Sequence, residues 1–311
     1  MKTRKTHVLL CVFILFFYFD LIASEEKPEE DHWTKTLIDD NIKLSELFDR
    51  VADGLDVFLA GKRVTNKKNE TRVKFDNTTV YTEGMGAKNY AGIGVNLRLP
   101  NFEEYWRLKF SSYDEQEANR GVKRGYLKQG PREQNYGASV GFFRKLGDFR
   151  ASFEPRIDLQ DPLKVSHSLM FQSVAEVDYY EVNPKLEFFA SPTKGVGNFV
   201  ALNFNFDFTK DLTLTFLNEG EYLDKQHSFS VTNGFSFGQV LTDRTSLSYN
   251  YLVDFVNRPS YHMDGYNASI SWNHVLYRKI LDYSLVPSVD FRKARKFRGL
   301  SSLALGVTVN F

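Results

Sequence analysis

The sequence predicts an all-β protein: a transmembrane antiparallel β-barrel of about 14 strands, within a range of 12 to 16, preceded by a short amphipathic helix. Two observations carry this prediction. From Glu70 onward, apolar residues alternate with polar or small ones at a period of two. In addition, no stretch after Ser24 is apolar enough for a spanning helix. A membrane protein of this kind must close its strands into a barrel, because closure pairs every backbone group within lipid.

The last strand shows the pattern without a break. Its apolar phase is Leu303, Leu305, Val307, Val309 and Phe311, interleaved with small or polar residues. This segment resembles the final strand of Gram-negative outer-membrane β-barrels, which typically ends in Phe. The resemblance implies that Phe311 is the assembly signal read by the barrel-assembly machinery. It also implies a bacterial outer-membrane location, with membrane lipid and lipopolysaccharide as partners.

The N-terminus is typical of a signal peptide. A basic start at Lys2, Arg4 and Lys5 precedes the apolar run Val8–Phe19, and small residues follow at Ala23 and Ser24. We therefore predict a signal peptide over residues 1–24. The alternative is an uncleaved anchor, which the shortness of the apolar run disfavours.

Composition excludes several function classes. Removal of residues 1–24 takes the formal charge from +1 to about −1 and also removes Cys11, the only cysteine. A disulfide framework and a cysteine nucleophile are thereby excluded from the mature chain. The near-neutral balance gives no nucleic-acid signature. The chain has no phosphate-binding loop and no Cys/His metal spacing, so we expect no cofactor and no metal.

Residues 25–69 form the predicted periplasmic segment, and residues 70–311 the barrel. After an acidic stretch over 25–31, apolar residues recur at helical spacing, with Asn41 or Ser45 as the cap and a polar loop over 61–69. These apolar residues are Leu44, Leu47, Phe48, Val51, Leu55 and Phe58. The helix is expected to plug the lumen, close its periplasmic mouth, bind a partner, or tuck its apolar stripe beneath the barrel.

Strand boundaries follow from the turns. Short turns are predicted over 145–148, 209–211 and 241–244, and they alternate with longer loops. The chain therefore enters and leaves the barrel at the short-turn side, which is periplasmic in bacterial barrels. Only the first strand and the region from Val177 to Pro184 are ambiguous.

The alternation assigns the remaining strand residues to the lumen, where they form two walls of opposite charge. The basic wall comprises Arg98, Arg107, Lys109, Arg150 and Arg156, against Glu154 and Asp158. The acidic wall comprises Glu219, Glu221, Asp254, Asp282 and Asp290, against Arg292. Opposed charges in a wet lumen would orient small polar solutes, whereas a network of ion pairs would fill the barrel.

The longest loop, residues 114–134, is basic. It carries Arg120, Lys123, Arg124, Lys128 and Arg132. Three placements stay open: folded inward as a constriction, in contact with anionic lipopolysaccharide, or solvated outside the membrane.

An enzyme is the weakest of the alternatives. Outer-membrane phospholipase needs a Ser two residues after its His, but Leu169, Phe229, Asp264 and Leu276 occupy these positions after the four candidate histidines. Omptin-type proteases need an Asp-His pair at the rim, and His262 with Asp264 or His227 with Asp224 would be the candidates. We predict that the chain is not an enzyme.

Two further features stay at the level of expectation. Asn218 and Asn233 fall in the lipid-facing phase, which we attribute to local phase breaks at Gly220 and Gly234. The motifs Thr82-Glu83-Gly84 and Leu97-Arg98-Leu99-Pro100 loosely resemble uncharacterised proteobacterial outer-membrane proteins, a resemblance that carries no activity. The leading hypothesis is a passive channel for polar or charged small solutes, ahead of a non-conducting structural or binding barrel.

Overall fold

A computed structural model describes residues 32–60, 71–98, 106–127, 134–277 and 280–311. The predicted signal peptide, the acidic stretch over 25–31 and the loop over 61–69 lie outside these ranges. The strands are β1 Arg72–Thr82, β2 Gly86–Arg98, β3 Trp106–Tyr113, β4 Gln134–Leu146, β5 Phe149–Asp158, β6 Lys164–Ser173, β7 Ala175–Val177, β8 Tyr180–Ser191, β9 Gly195–Thr209, β10 Leu212–Leu223, β11 Ser228–Thr242, β12 Thr245–Val256, β13 His262–Tyr277, β14 Leu281–Arg292 and β15 Gly299–Asn310.

These strands form one closed antiparallel barrel, which confirms the predicted fold class. The barrel wall has 14 strand positions, called here staves. Strands β6 and β7 pair with β8 in one continuous register and count as a single stave interrupted at Val174. The barrel closes where β1 meets β15, in a ladder from Lys74↔Asn310 to Thr82↔Ser302. Phe311 extends this seam, because its N–H donates to the carbonyl of Val73 at 2.8 Å.

The two faces of the wall differ as the alternation predicted. Outward-facing apolar side chains are exposed along the staves, among them Phe110, Phe153, Ile157, Phe188, Val200, Phe216, Phe235 and Leu305. Lumen-facing positions are mostly polar and buried, among them Ser139, Ser166, Ser168, Ser248, Asn250 and Ser271. An apolar outside and a polar inside are the inversion that a membrane requires of a spanning barrel.

The ends of the barrel are called here the turn end and the loop end. The turn end holds the start of β1 and the tight turns at 147–148, 210–211 and 243–244, in agreement with the prediction. The loop end holds the long connection after β3. Its other connections are shorter than predicted, with only three residues at 83–85 and at 192–194. The seventh predicted strand is longer than expected, since β8 takes in the ambiguous residues up to Pro184.

The first helix, α1, covers His32–Ala60 and is longer than the sequence predicted. The expected cap at Asn41 or Ser45 is wrong, because both residues lie inside the helix. The chain divides into two compact units between Lys43 and Leu44, so the helix from Leu44 onward belongs with the barrel strands. Among the described residues, no helix has the length and apolarity needed to cross a membrane.

The explanation proposed for Asn218 and Asn233 is wrong. The β10–β11 ladder runs without a shift from Leu212 to Leu223, and the two residues are direct partners in it. The β9–β10 ladder instead has a gap between the pairs Phe216↔Phe204 and Glu219↔Ala201. In this gap the N–H of Asn218 donates to the Asn203 Oδ1 at 3.1 Å, and its side-chain amide donates to the Leu202 carbonyl at 3.0 Å. Amide side chains here replace ladder hydrogen bonds.

Candidate functional site

The connection between β3 and β4 folds into the lumen, and its described part, residues 114–127, is called here the lumen segment. It contains two short helices, α2 at Glu115–Ala118 and α3 at Gly121–Gly125. Asp114 caps α2, since its Oδ1 accepts the N–H groups of Gln116 at 3.0 Å and Glu117 at 3.1 Å. Of the three placements that the sequence left open, the structure shows the inward one.

Arg120 forms the most deeply buried ion pair of the lumen segment. Its Nη2 donates to the Oε1 of Glu187 on β8 at 2.6 Å, and its guanidinium carbon lies 3.5 Å from the centre of the Phe189 ring. Burial lowers the pKa of Arg120, but the hydrogen bond and charge of Glu187 outweigh burial and raise it above the ordinary value. The guanidinium is therefore a permanent charge that fixes the segment to this stave.

Gly121 allows the segment to approach β10 closely. Its φ is +74°, in the left-handed region, and a Cβ added there would lie 2.8 Å from the Oε2 of Glu219. The Glu219 carboxylate can therefore accept the N–H of Val122 at 2.9 Å. A side chain at residue 121 would both strain the backbone and displace this carboxylate.

Two further cations of the segment reach the far wall. The Nη2 of Arg124 contacts the Oε2 of Glu221 at 2.8 Å, and Lys123 forms a very short ion pair with Asp254 on β12. Burial lowers the pKa of the Lys123 ammonium, and the charge of Asp254 only partly offsets this effect. Asp254 also pairs with Arg292 at 2.9 Å, so the segment joins the ionic network of β12–β14.

Apolar side chains close the lumen beside these pairs, in a cluster called here the apolar seal. Val122 and Leu127 of the segment pack against lumen-facing residues of β10, β12, β14, β15 and β1. These residues are Leu217, Leu252, Val286 and Ala304, with Val80 beside them. Sequence reasoning missed this cluster, although its signal was present as one isolated apolar residue in the polar phase of each stave.

On its other side the segment borders a small polar cavity against β4–β8. The charged side chains that line it have both signs: Asp114, Glu115, Glu117, Arg120, Glu154, Arg156 and Lys194. Serine hydroxyls of the wall complete the lining at Ser139, Ser166, Ser168 and Ser191. Burial raises the pKa of Asp114 and that of Glu115. Such a cavity suits solutes that carry charge and hydrogen-bonding groups.

The residues assigned to the basic wall lie on β2, β3 and β5. Lys109 pairs with Glu154 at 2.8 Å and Arg156 with Asp158 at 2.7 Å, so both are matched on their own wall. The guanidinium carbon of Arg107 lies 4.7 Å from the centre of the Phe143 ring. Arg150 and Arg98 stand opposite Lys145 and Arg107 respectively in their ladders; the side chain of Arg98 lies outside the described atoms.

The acidic wall divides between the segment and β14. Glu219, Glu221 and Asp254 bind the lumen segment as described above. Asp290 contacts Arg292 at 3.0 Å and Arg295 at 2.9 Å, and Asp282 accepts from the amide of Asn310 at 3.3 Å. Glu187, which sequence reasoning did not single out, is fully buried among the lumen residues of β8. Its signal was a carboxylate in the lumen phase between Leu186 and Phe188.

The candidate hydrolase residues have other partners. The Nδ1 of His262 lies 2.6 Å from the Ser260 carbonyl, and Asp264 pairs with Arg292 at 2.8 Å. In the described ranges, no group of three or more His, Cys, Asp or Glu side chains is arranged to hold a metal ion. The absence of an enzymatic activity stays a prediction.

The chain was compared with known proteins. No protein-family model matches it, and the search of curated proteins found no match. The solved structure of OmpT, an outer-membrane protein of Vibrio cholerae, has a TM-score of 0.48 and 6% identity over 80% of this chain and 99% of its own. The outer-membrane channel DcaP of Acinetobacter baumannii has a TM-score of 0.48 and 8% identity over 78% and 97%. The KdgM porin has a TM-score of 0.39 and 8% identity over 76% and 99%.

At such low identities, the residues of this chain have to supply the functional conclusion. Its 14 staves close antiparallel, its exposed outer face is apolar, and its lumen is lined by polar and charged side chains. The chain is a closed β-barrel with the apolar outer face and polar lumen of a membrane-spanning protein.

Proposed function

We propose that the barrel is a passive channel for small polar or charged solutes, narrowed by the lumen segment. The observation that supports this proposal is the polar cavity between the segment and β4–β8, where acidic and basic side chains face one space. Fixed charges in a narrow tube with low-dielectric walls raise the local concentration of ions of opposite sign. The solutes are therefore expected to pass on this side of the segment.

The segment is the part that limits passage, so its removal is the decisive test. Residues 115–126 would be replaced by a short Gly-Ser linker, and the conductance of the refolded protein measured in planar bilayers. We expect the wild-type barrel to conduct weakly and the replacement to raise its conductance severalfold. Equal conductance in the two proteins would overturn the role of the segment.

Ion selectivity then tests which wall lines the path. Arg107 and Arg150 are both exposed, so R107E and R150E together change the charge of this wall by four units at positions that are not packed in the interior. We expect the reversal potential across a salt gradient to shift in the direction that indicates greater selectivity for cations. Screening over roughly 8 Å at physiological salt would limit the shift to solutes that pass close to this wall. An unchanged potential in a conducting barrel would remove these residues from the path.

The second candidate is a non-conducting barrel that presents its outer loops or α1 to a partner. The apolar seal favours it, because Val122 and Leu127 are buried against four staves as in a packed core. In that case the wild-type protein gives no conductance, and replacing the segment lowers thermal stability instead of opening a pore. On either hypothesis we also propose two kinds of partner. Lipopolysaccharide would contact the barrel, and the barrel-assembly machinery would recognise Phe311.

A further inference from the structure

We propose that α1, from Leu44 onward, is a membrane-interface helix: it packs on the lipid-facing wall at the turn end and presents its apolar stripe to the lipid of the adjoining leaflet. The first step is its contact with the barrel. Ala52 is fully buried and packs against Leu97, with Val95 and Leu108 alongside. These three strand residues lie in the outward phase, and Leu97 faces Leu108 across the β2–β3 ladder. The helix therefore lies on the outer face of the wall.

The exposure of neighbouring residues sets the level of the helix along the wall. At the turn end, the outward residues Val73 and Leu97 are only 4% and 5% exposed. Further toward the loop end, the paired residues Phe75 and Ile93 are 45% and 42% exposed. Phe75 is one outward position from Val73, and Ile93 is two outward positions from Leu97. Coverage at this end therefore stops after two rows of outward side chains, that of Leu97 and that of Val73 with Val95. The helix occupies the margin of the apolar band, where the membrane meets the aqueous compartment.

Three faces of α1 match three surroundings at this margin. Ala52 and Asp56 are fully buried, on the side toward the wall. Leu44, Leu47 and Val51 recur at helical spacing on one flank and are exposed, Val51 by 58%. The opposite flank carries the exposed Glu46, Asp49 and Arg50. With 100° between successive residues, the apolar flank and the charged flank lie on opposite sides of the wall contact.

Lipid is the occupant that this geometry selects. The exposed stripe belongs to a helix that packs on the outer face of β2 and β3, where the uncovered apolar residues Ile93 and Phe110 face lipid. A helix with one apolar and one charged flank lies in the plane of a membrane interface, with its apolar side chains at the acyl boundary. The wall contact through Ala52 positions α1 there, which none of the placements expected from the sequence included.

Site-directed spin labelling tests the inference, since Cys11 is the only cysteine and C11S gives a cysteine-free background. Nitroxides would be attached through V51C on the apolar flank, E46C on the charged flank and L305C on the exposed lipid face of β15. In vesicles, we expect position 51 to match position 305, with high accessibility to oxygen and low accessibility to a water-soluble nickel chelate. Position 46 should show the reverse, with an oxygen-to-nickel ratio severalfold lower.

Each other outcome contradicts the proposal. If position 51 is as accessible to the nickel chelate as position 46, the stripe faces water. If position 51 is shielded from both reagents while position 305 is not, another protein surface covers it. Heat-modifiable gel migration confirms folding of every variant, and the result does not depend on whether the lumen conducts.

Discussion

The two sides of the lumen segment are built on different physical principles. Toward β4–β8 the segment borders a polar cavity lined by charges of both signs, whereas toward β10–β15 it buries Val122 and Leu127 in the apolar seal. Ion pairs such as Arg120–Glu187 are directional and fix the register of the segment, although desolvation limits their net contribution. Apolar burial is non-directional and excludes water. A polar cavity therefore remains on one side of the segment, whereas packed apolar side chains fill the other side.

Breaking the Arg120–Glu187 pair should have the largest effect on the polar side. R120A leaves the fully buried Glu187 carboxylate with the more distant Lys185 at 3.8 Å and the Ser168 hydroxyl at 2.9 Å, and breaking a buried ion pair typically costs about 3–5 kcal/mol. We expect a lower unfolding temperature and faster proteolysis within residues 114–127. The matched control is R124A, since the Arg124 side chain is about one-third exposed in its pair with Glu221 and should cost about 1 kcal/mol or less.

The double variant R120A/E187A sharpens the interpretation. Removing both charges should recover most of the loss, because the penalty comes from a buried carboxylate that has lost its closest cation. If R120A alone leaves stability and proteolysis unchanged, the pair does not hold the segment.

Opening the apolar seal should have a somewhat smaller effect on stability and a different effect on conduction. L127A removes a fully buried side chain and should cost about 3 kcal/mol, since the site is packed on several sides. Water admitted beside Leu217 and Leu252 should add a leak conductance on the sealed half. L303A on the exposed outer face is the control, and a similar leak in that variant would refute the effect of the seal.

Substitution at Gly121 should lower the stability of the protein by less than opening the apolar seal does. G121A places a Cβ 2.8 Å from the Glu219 carboxylate and carries a positive φ, whereas G147A carries φ +62° with nothing within 4 Å. Both variants should lose about 1 kcal/mol for the left-handed backbone. Only G121A should lose more and release the segment to proteases. Equal losses would show that the Glu219 contact is unimportant.

Acidification should stabilise the inserted state of the lumen segment, and this is the smallest of the expected effects. Burial raises the pKa of Glu115 and Asp114 when the segment is inserted, so the inserted state binds protons more tightly than a solvated one. Its added stability is fully present below the ordinary carboxyl pKa and is lost as pH rises through the raised value. Conductance should therefore fall on acidification.

The variant E115Q isolates one of these groups. It removes the Glu115 charge, which faces Lys109, Glu154, Lys74 and Arg156, and should flatten the pH dependence. E83Q, on the exposed β1–β2 turn, should leave the dependence unaltered. A dependence as steep in E115Q as in the wild type would assign it to other groups.

Local pattern was sufficient for the barrel itself. The period of two decides which side of a strand is apolar, and tight turns such as Gly147–Asp148 end strands through local backbone chemistry. The stave count, the phase of each wall and the lumen position of Arg156 and Asp254 could therefore be read from residues within a few positions of one another. The predicted boundaries of β8 and α1 were less accurate, because no clear turn or helix-ending residues mark the ends of these elements in the sequence.

The sequence by itself determined the inside and outside of this protein, whereas only the tertiary structure decided what occupies each side. The contacts of Arg124 with Glu221 and of Lys123 with Asp254 join residues 97 and 131 positions apart, and no local period encodes such distances. The apolar seal and the packing of Ala52 against Leu97 likewise form only in the folded barrel, where residues that are distant in the sequence come together. Alternation is a property of neighbouring residues, but occupancy of a lumen depends on the width and curvature of the closed wall.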